Sequence, residues 1–156
     1  MLTAVTGTED HVRRNRAAWD WWAAEYADPG LRNWAAEEPT WGIWNTGEAQ
    51  AGVLPADLQG RDSIELGCGT GYVSAWLARR GARPVGLDNS AAQLATARQL
   101  QNRFGLRFPL IHASAEQAPS PMPVLTWRSR STARVSGAIL TAGSPRRPGC
   151  CARAVS

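Results

Sequence analysis

The residues best suited to chemistry are a glycine turn and an acid that follows it. Residues 64–71 read Ile-Glu-Leu-Gly-Cys-Gly-Thr-Gly, and Asp88 stands seventeen positions after the last glycine. An apolar run before the turn and an amphipathic run after it predict a strand and a helix. Such a turn leaves backbone amides open to a ligand at the helix start, where glycine permits close approach. Asp88 ends a second apolar run, so in a parallel sheet its carboxylate lies beside the turn, where ribose hydroxyls can donate to it.

The spacing of the glycines distinguishes two classes of cofactor. The glycines stand at 67, 69 and 71, and position 72, where the dinucleotide fingerprint G-x-G-x-x-G requires a small residue, is Tyr72. Glu65 stands two residues before the first glycine. The pattern apolar-acid-apolar-Gly-x-Gly-x-Gly resembles motif I of the class I S-adenosylmethionine-dependent methyltransferases. A nucleotide-dependent oxidoreductase is the alternative enzyme, and Tyr72 disfavours it.

The resemblance covers residues 61–118 and implies a fold. It implies an α/β protein with a Rossmann-like parallel sheet and flanking helices, truncated here to about three strands and preceded by a helical N-terminal segment. The pattern predicts strands near 62–66, 84–88 and 108–112, with a helix over 72–80. A second helix opens at the capping box Ser90-Ala91-Ala92-Gln93 and ends at Gly105.

The resemblance also implies a function and a set of cofactor contacts. The cofactor is S-adenosyl-L-methionine, and the reaction moves its methyl group to an unidentified small molecule. The segment Ala113-Ser114-Ala115-Glu116 matches the family segment along the adenine, although the family commonly has Asp at the Ser114 position. No catalytic residue is assigned. The implied cofactor-binding residues are Glu65, Gly67, Gly69 and Gly71 at the methionine part, Asp88 and Asn89 at the ribose, Ser114 and Ala115 at the adenine, and Tyr26 over the cofactor.

The first sixty residues are rich in tryptophan, with six of the eight between positions 19 and 44. Residues 11–27 predict a helix that stops at Asp28-Pro29-Gly30, and the residues at 19, 22, 23 and 26 fall on one face. This face is either core packed on the sheet or a lid, and its pattern resembles the N-terminal helix of small-molecule methyltransferases, which supplies the Tyr26 expectation. The loop 41–44 has the same two interpretations, as core or as a wall of the substrate pocket.

Composition restricts the partners and the location. Residues 1–119 carry a net charge of −2 and residues 120–156 carry +6, so the basic balance belongs to the tail. Residues 1–119 contain no basic face interleaved with aromatic residues, so we do not expect the protein to bind nucleic acid. No apolar run approaches the ~20 residues of a membrane span, and no secretory core is present, so we expect a cytoplasmic protein. His11 and His112 are isolated in the sequence, so we expect no metal site.

The character of the chain changes after Pro119, where acidic residues vanish and Arg, Ser, Pro and Gly dominate. If the last base of each codon from Pro121 onward is read together with the first two bases of the next codon, with synonymous third bases free, the strings D-A-S-F-D-L-A-V-S-E-Y-G-A and P-E-A-A-R-L-L-R-P-G-G are possible. They resemble the fourth strand and a later turn of the family. We therefore divide the chain into a helical tryptophan-rich segment at 1–60, the first half of a methyltransferase domain at 61–119, and a disordered, out-of-frame tail at 120–156. A cofactor-binding remnant without turnover is the non-enzymatic alternative.

Overall fold

A computed structural model describes residues 6–117 and 138–142. The N-terminal segment contains helix α1 (Thr6–Trp22), a 3-10 turn (Ala23–Tyr26) and helix α2 (Ala27–Ala35). The predicted stop at Asp28-Pro29-Gly30 is wrong, because α2 runs through it. Pro29 is the third residue of α2, where its missing N–H costs no helical hydrogen bond. Gly30 is buried because the helix lies close to Thr70.

A short hairpin joins this helical segment to the sheet domain. Strands β1 (Thr40–Trp41) and β2 (Thr46–Gly47) pair in antiparallel orientation, and helix α3 (Glu48–Ala51) follows. Trp41 is buried and its indole N–H donates to Glu48 Oε2 at 2.6 Å, while the other oxygen of Glu48 accepts the amide of Leu54. Ile43 and Trp44 at the tip of the hairpin are 77% and 70% exposed. The loop 41–44 therefore contributes one tryptophan to the core and turns the other to the surface.

The sheet confirms the predicted architecture. Strands β3 (Asp62–Leu66), β4 (Arg83–Asp88) and β5 (Leu110–His112) are parallel, in the order β5-β4-β3. Helix α4 (Tyr72–Arg79) connects the first two strands and helix α5 (Ala91–Phe104) connects the last two. A short 3-10 turn (Ala115–Gln117) follows β5. This arrangement brings the ends of β3, β4 and β5 to one edge of the sheet, where the predicted site residues stand.

Helix α5 begins and ends where the sequence predicts. Ser90 Oγ accepts the amide of Gln93 at 3.1 Å, and Gly105 ends the helix in the left-handed region with φ of 63°. The second half of the capping box is missing, because the Ser90 amide donates to Asp88 Oδ1 at 2.7 Å rather than to Gln93. The Gln93 side chain is therefore available for another role.

Three helices cover one face of the sheet. Trp34 of α2 is 1% exposed and stacks on Phe108, with ring centroids 6.1 Å apart, beside Ala75 of α4 and Leu100 of α5. A second cluster joins the hairpin and its following loop to α4. Its buried members are Trp41, Leu54, Leu58, Trp76, Leu77 and Ala82. These two clusters fix the N-terminal segment against the helices that carry the glycine turn. None of the helices in the described ranges is long and apolar enough to cross a membrane.

A fourth strand, β6 (Ala138–Ala142), lies beyond β3 and pairs with it in antiparallel orientation. Its register sets Asp62 opposite Ala142 and Leu66 opposite Ala138. The sequence predicts disorder over 120–156, but the structure forms a strand at the five residues of β6. The reason is physical: β3 would otherwise present an open row of backbone donors and acceptors, and a short apolar run is able to pair with it. The rest of the predicted tail, and with it the frameshift hypothesis, lies outside the described residues.

Candidate active site

The glycine turn adopts backbone conformations that require glycine. The φ angles of Gly67, Gly69 and Gly71 are 72°, 52° and 73°, all in the left-handed region. The amides of Gly67 and Cys68 both donate to the Leu87 carbonyl, at 2.8 and 3.0 Å. The start of the turn is thereby attached to the neighbouring strand.

Asp88 holds the middle of the turn. Its Oδ2 accepts the Gly69 amide at 2.7 Å and its Oδ1 accepts the Ser90 amide at the same distance. The side chain is nearly buried, with 9% of the residue exposed. A carboxylate offers about four acceptor positions, so these two hydrogen bonds leave capacity for ligand hydroxyls. Asp88 thus shapes the turn and also presents an acceptor at the site.

Glu65 lies beneath the turn and anchors the first turn of α4. It is 5% exposed, and its Oε2 accepts both the Ser74 amide at 2.8 Å and the Ser74 hydroxyl at 2.6 Å. Burial raises the pKa of Glu65 to about 7, while the hydrogen bonds from Ser74 act in the opposite direction. Repulsion from the Asp88 carboxylate adds a smaller upward contribution to this pKa. Glu65 is therefore a group that changes protonation near neutral pH.

Cys68, the variable residue of the turn, is not a nucleophile. Its side chain lies over β4, where a Cβ at Gly86 would come within 2.9 Å of the Cys68 Sγ. Burial, and then the nearby carboxylates of Glu65 and Asp88, raise the pKa of the Cys68 thiol. The thiol stays protonated and serves as packing.

Helix α2 clamps the turn from the other side. The Trp34 indole N–H donates to the Thr70 carbonyl at 3.0 Å. A Cβ at Gly30 would lie 2.9 Å from Thr70 Cγ2, so α2 could not approach this closely with a larger residue at position 30. The N-terminal segment is therefore part of the support of the turn.

Helix α1 packs against the site through polar contacts with Asn89 and Ser90. Asn89 donates from Nδ2 to the Val12 carbonyl at 3.1 Å, and its Oδ1 accepts Arg16 Nε at 2.8 Å. Further along the helix, the Ser90 hydroxyl donates to Asp20 Oδ1 at 2.5 Å. These contacts join α1 to the start of α5.

These elements enclose a cavity of about 610 Å³. Its walls come from α1, the glycine turn, the end of β4, the start of α5 and the turn after β5. The lining residues are His11, Val12, Asn15, Trp19, Tyr26, Glu65, Gly67, Cys68, Gly69, Thr70, Tyr72, Val73, Leu87, Asp88, Asn89, Gln93, Ser114, Ala115 and Glu116. A cavity of this size fits a small-molecule ligand. Among the described residues, no group of three or more His, Cys, Asp or Glu is arranged to hold a metal ion.

The structure brings most of the predicted site residues to this cavity. Gly71 is the exception: it is buried, and a Cβ there would face Phe108 Cζ at 3.4 Å, so it serves the packing of α4. Asn89 reaches the cavity while its side chain holds α1. Ser114 is 7% exposed, and its hydroxyl accepts the Glu116 amide at 3.4 Å. The predicted residues that line the cavity are Tyr26, Glu65, Gly67, Gly69, Asp88, Asn89, Ser114 and Ala115.

The aromatic residues of α1 and of the 3-10 turn after it form a wall of the cavity, while Ala23 on the same face is buried. Trp19 and Tyr26 line the cavity and make an edge contact, with ring centroids 5.7 Å apart. Trp22 packs edge-on against Trp19 at 6.0 Å but is 47% exposed. Trp22 and Tyr26 (41% exposed) are therefore not core residues, and the interpretation of this face as a lid stays a prediction.

Gln93 is a further site residue that the sequence pattern does not predict. Gln93 is 3% exposed and lines the cavity, and its Oε1 has no hydrogen-bond partner among the described residues. A buried acceptor without a donor costs about 1–3 kcal/mol, so a ligand N–H or O–H at this point would restore a lost interaction. The orphaned oxygen and the glycine turn together fit a polar nucleoside-like ligand. The capping-box pattern hides this role, because it assigns the Gln93 side chain to Ser90.

Part of the chain that forms this site is similar to known proteins. Residues 64–125 match the family model described as a methyltransferase domain. The chain is 38% identical to the ubiquinone biosynthesis O-methyltransferase of Pseudomonas aeruginosa strain UCBPP-PA14 over 68 residues, which are 44% of this chain and 29% of that protein. The proteins of the same name from Pseudomonas fluorescens strain SBW25 and Pseudomonas syringae pv. tomato are 35% and 36% identical. They align with 45% and 46% of this chain, and with 32% of each relative. No solved structure matches the chain.

The matched region contains the lining elements of the sheet domain, whereas α1 and Tyr26 lie outside it. It begins within β3, contains the glycine turn and Asp88, and runs past Ser114 and the 3-10 turn that follows it. The chain spans less than one third of the length of these curated relatives. Residues 64–125 of this chain, which carry the glycine pattern and Asp88, are similar to a methyltransferase domain.

Proposed function

We propose that the cavity binds S-adenosylmethionine and that the chain takes part in methyl transfer to a small molecule. The observation that carries the proposal is the arrangement of Asp88, the glycine turn and the orphaned Gln93 oxygen around one cavity. Asp88 accepts the ribose hydroxyls, for which its carboxylate keeps acceptor positions beside the two amides it already holds. Gln93 Oε1 accepts a further donor of the nucleoside.

The remaining predicted residues complete the proposed cofactor site. Gly67, Gly69 and Glu65 border the methionine part, and Gly71 acts indirectly by setting the start of α4. Ser114 and Ala115 border the adenine, and Asn89 joins the ribose region to α1. Tyr26 and Trp19 form a wall whose ring faces favour a positively charged sulfur. The segment that carries them acts as the lid.

Tyr72 supports this cofactor over a dinucleotide. It is the first residue of α4 and lines the cavity. Its hydroxyl is held on both sides by the hairpin, accepting the Thr40 amide at 2.7 Å and donating to the Thr40 carbonyl at 3.3 Å. The ring is therefore fixed where a pyrophosphate-binding turn requires a small residue. A nucleotide-dependent oxidoreductase is disfavoured on the same ground.

Methyl transfer requires mainly that the methyl group and the acceptor are aligned. When bound, S-adenosylmethionine supplies a methyl group on a positively charged sulfur that is already a good leaving group. The turn, Asp88 and the aromatic wall would hold the reacting ends in line and exclude water, an effect able to supply up to ~7–11 kcal/mol. The acceptor is a small molecule. The composition-based expectation of a cytoplasmic location is a separate point and stays a prediction.

Calorimetric titration with S-adenosylhomocysteine tests the proposal. Asp88→Ala should weaken binding by about 30- to 150-fold, the value of charge-assisted hydrogen bonds worth ~2–3 kcal/mol. Asp62→Ala is the matched control, because Asp62 begins β3 and pairs with Arg83 at 2.7 Å, away from the cavity. It should leave the affinity unchanged.

A second variant separates binding from folding. Gln93→Leu removes an acceptor that has no partner among the described residues, so the free energy of unfolding should hold or rise while the affinity for S-adenosylhomocysteine falls. Equal affinity in Asp88→Ala, Gln93→Leu and the parent would contradict the proposal. So would a preference of the parent for a nicotinamide dinucleotide.

A further inference from the structure

A buried carboxyl group forms part of the cavity wall with one of its oxygens unused. Glu65 lines the cavity although the residue is buried. Its Oε2 accepts both the amide and the hydroxyl of Ser74. Its Oε1 accepts no hydrogen bond from any residue that the structure describes. One oxygen of Glu65 is therefore available to a ligand.

The residues around Glu65 bring no positive charge to it. Asp88, at the end of the neighbouring strand β4, carries a second carboxylate that repels an ionised Glu65. Burial raises the pKa of the Cys68 thiol in the glycine turn, so this group is neutral. Ser74 on α4 is a neutral donor, and the residue opposite Glu65 on β6 is Ile139. A charge on Glu65 thus has two hydrogen bonds but no cation to stabilise it.

The described walls of the cavity as a whole are rich in carboxyl groups. Glu65, Asp88 and Glu116 all line it. The chain has no lysine, and none of its arginines is among the lining residues that the structure describes. His11 is the basic side chain of this lining, and its Nε2 lies 2.8 Å from Glu116 Oε1. A cavity lined in this way favours a ligand that brings positive charge.

The protonation of Glu65 depends on whether a cation is near. Burying an ionised carboxylate without a compensating charge is costly, and such a group binds a proton instead. Burial raises the pKa of Glu65 to about 7, and repulsion from Asp88 adds to this effect. An opposite charge within ~4–6 Å favours the ionised form. Binding of a cation and loss of the Glu65 proton are therefore thermodynamically linked.

We propose that a ligand with a cationic amino group binds to the ionised form of Glu65, so that its binding below neutral pH releases one proton from this residue. This proposal rests on the proposed function, because the methionine part of S-adenosylmethionine carries such an amino group. The O–H bond of the Glu65 carboxyl breaks, the proton goes to water, and the positive charge of the ligand balances the carboxylate that remains. The site therefore holds its ligand more tightly as the pH rises through about 7.

Calorimetric titration of the full-length protein with S-adenosylhomocysteine, which keeps the amino group, counts the released protons. The titration is run at about pH 6 in two buffers that differ in their enthalpy of protonation, and the difference in heat gives the number of protons. The parent should release about 0.9 proton per ligand, the neutral fraction of a group whose pKa lies about one unit higher. Its affinity should rise about tenfold between about pH 6 and about pH 8.

Three variants identify the group that releases the proton. Glu65→Gln cannot titrate, so it should release almost no proton and lose the change of affinity with pH. The amino group of the ligand titrates equally in both proteins, and the comparison removes its contribution. Ser74→Ala removes a hydroxyl that stabilises the ionised carboxylate, so the rise in affinity should move upward by about 1 pH unit. Asp62→Asn is the matched control, because Asp62 begins the same strand and pairs with Arg83; it should behave as the parent.

Methylthioadenosine is the matched probe, because it has the same nucleoside and thioether but no amino-acid part. It should bind to the parent at about pH 6 without proton release. Proton release by this probe, or binding of S-adenosylhomocysteine without it, overturns the proposal, and so does an unchanged proton count in Glu65→Gln. Failure of the proposed function has a different signature, since neither probe would then bind at either pH, and this proposal would fail with it.

Discussion

Glu65→Gln should change how the stability of the protein depends on pH. In the folded protein, burial raises the pKa of Glu65 from 4.5 to about 7. As the pH rises, Glu65 therefore loses its carboxyl proton at a lower pH in the unfolded chain than in the folded protein. Stability from this group is fully present below pH 4.5 and is lost as the pH rises through the folded pKa. A glutamine has the same shape, keeps an oxygen for the Ser74 amide and hydroxyl, and does not titrate.

The magnitude follows from the two pKa values. Each pH unit between them changes the free energy of unfolding by ~1.4 kcal/mol, so the whole window amounts to about 3 kcal/mol. This is a large share of the ~5–15 kcal/mol by which small domains are stable. Partial relaxation of the site would reduce the effect without changing its sign.

Urea unfolding followed by tryptophan fluorescence, at about pH 5 and about pH 8, measures the effect. All other titrating groups are shared by the two proteins, so the difference between parent and variant isolates Glu65. The variant should gain about 2.5 kcal/mol relative to the parent between the two conditions, because pH 5 already lies above the unfolded pKa. Parallel pH profiles for parent and Glu65→Gln would refute the reasoning, because they would place Glu65 in a water-like environment.

Two further changes, with Gly105→Ala as the control, test the clamp on the glycine turn. Gly30→Ala should destabilise the fold by about 1–3 kcal/mol and weaken S-adenosylhomocysteine binding, because the new Cβ would lie 2.9 Å from Thr70 Cγ2. Gly105→Ala meets open space and should cost ~1 kcal/mol through its φ alone, with no loss of affinity in calorimetry. Trp34→Phe keeps a stacked ring but leaves the Thr70 carbonyl without its donor, so urea unfolding should show a loss of about 1–2 kcal/mol. Equal stability of Gly30→Ala and the parent, or of Trp34→Phe and the parent, would count against the clamp.

Local signals in the sequence suffice for the central part of the structure. The glycine turn, the acid at the end of β4 and the caps of α5 each depend on residues close together in the chain, so their types and spacing predict them. The acid Asp88 meets Gly69 because parallel strands end at one edge of the sheet.

Other features depend on distant contacts that no local pattern contains. Helix α2 continues through Pro29 and Gly30 because that surface packs on Thr70, forty positions away. Gln93 is released from its capping role because Asp88 takes its place at the Ser90 amide. The approach of His11 to Glu116 needs the whole sheet domain to be folded between them. Proline and glycine, in particular, end a helix only where tertiary packing does not stabilise its continuation.

The clamp on the glycine turn has a thermodynamic consequence for ligand binding. Because Leu87, Asp88 and Trp34 all hold the turn from the protein side, its five residues are ordered when the chain folds, before any ligand arrives. Fixing a backbone residue costs roughly 1–2 kcal/mol, and here that entropy is lost in folding and not in association. If a change in α2 loosens the turn, ligand binding must order the turn again, and part of the entropy cost then falls on binding. Such a change lowers affinity from a distance without touching the ligand.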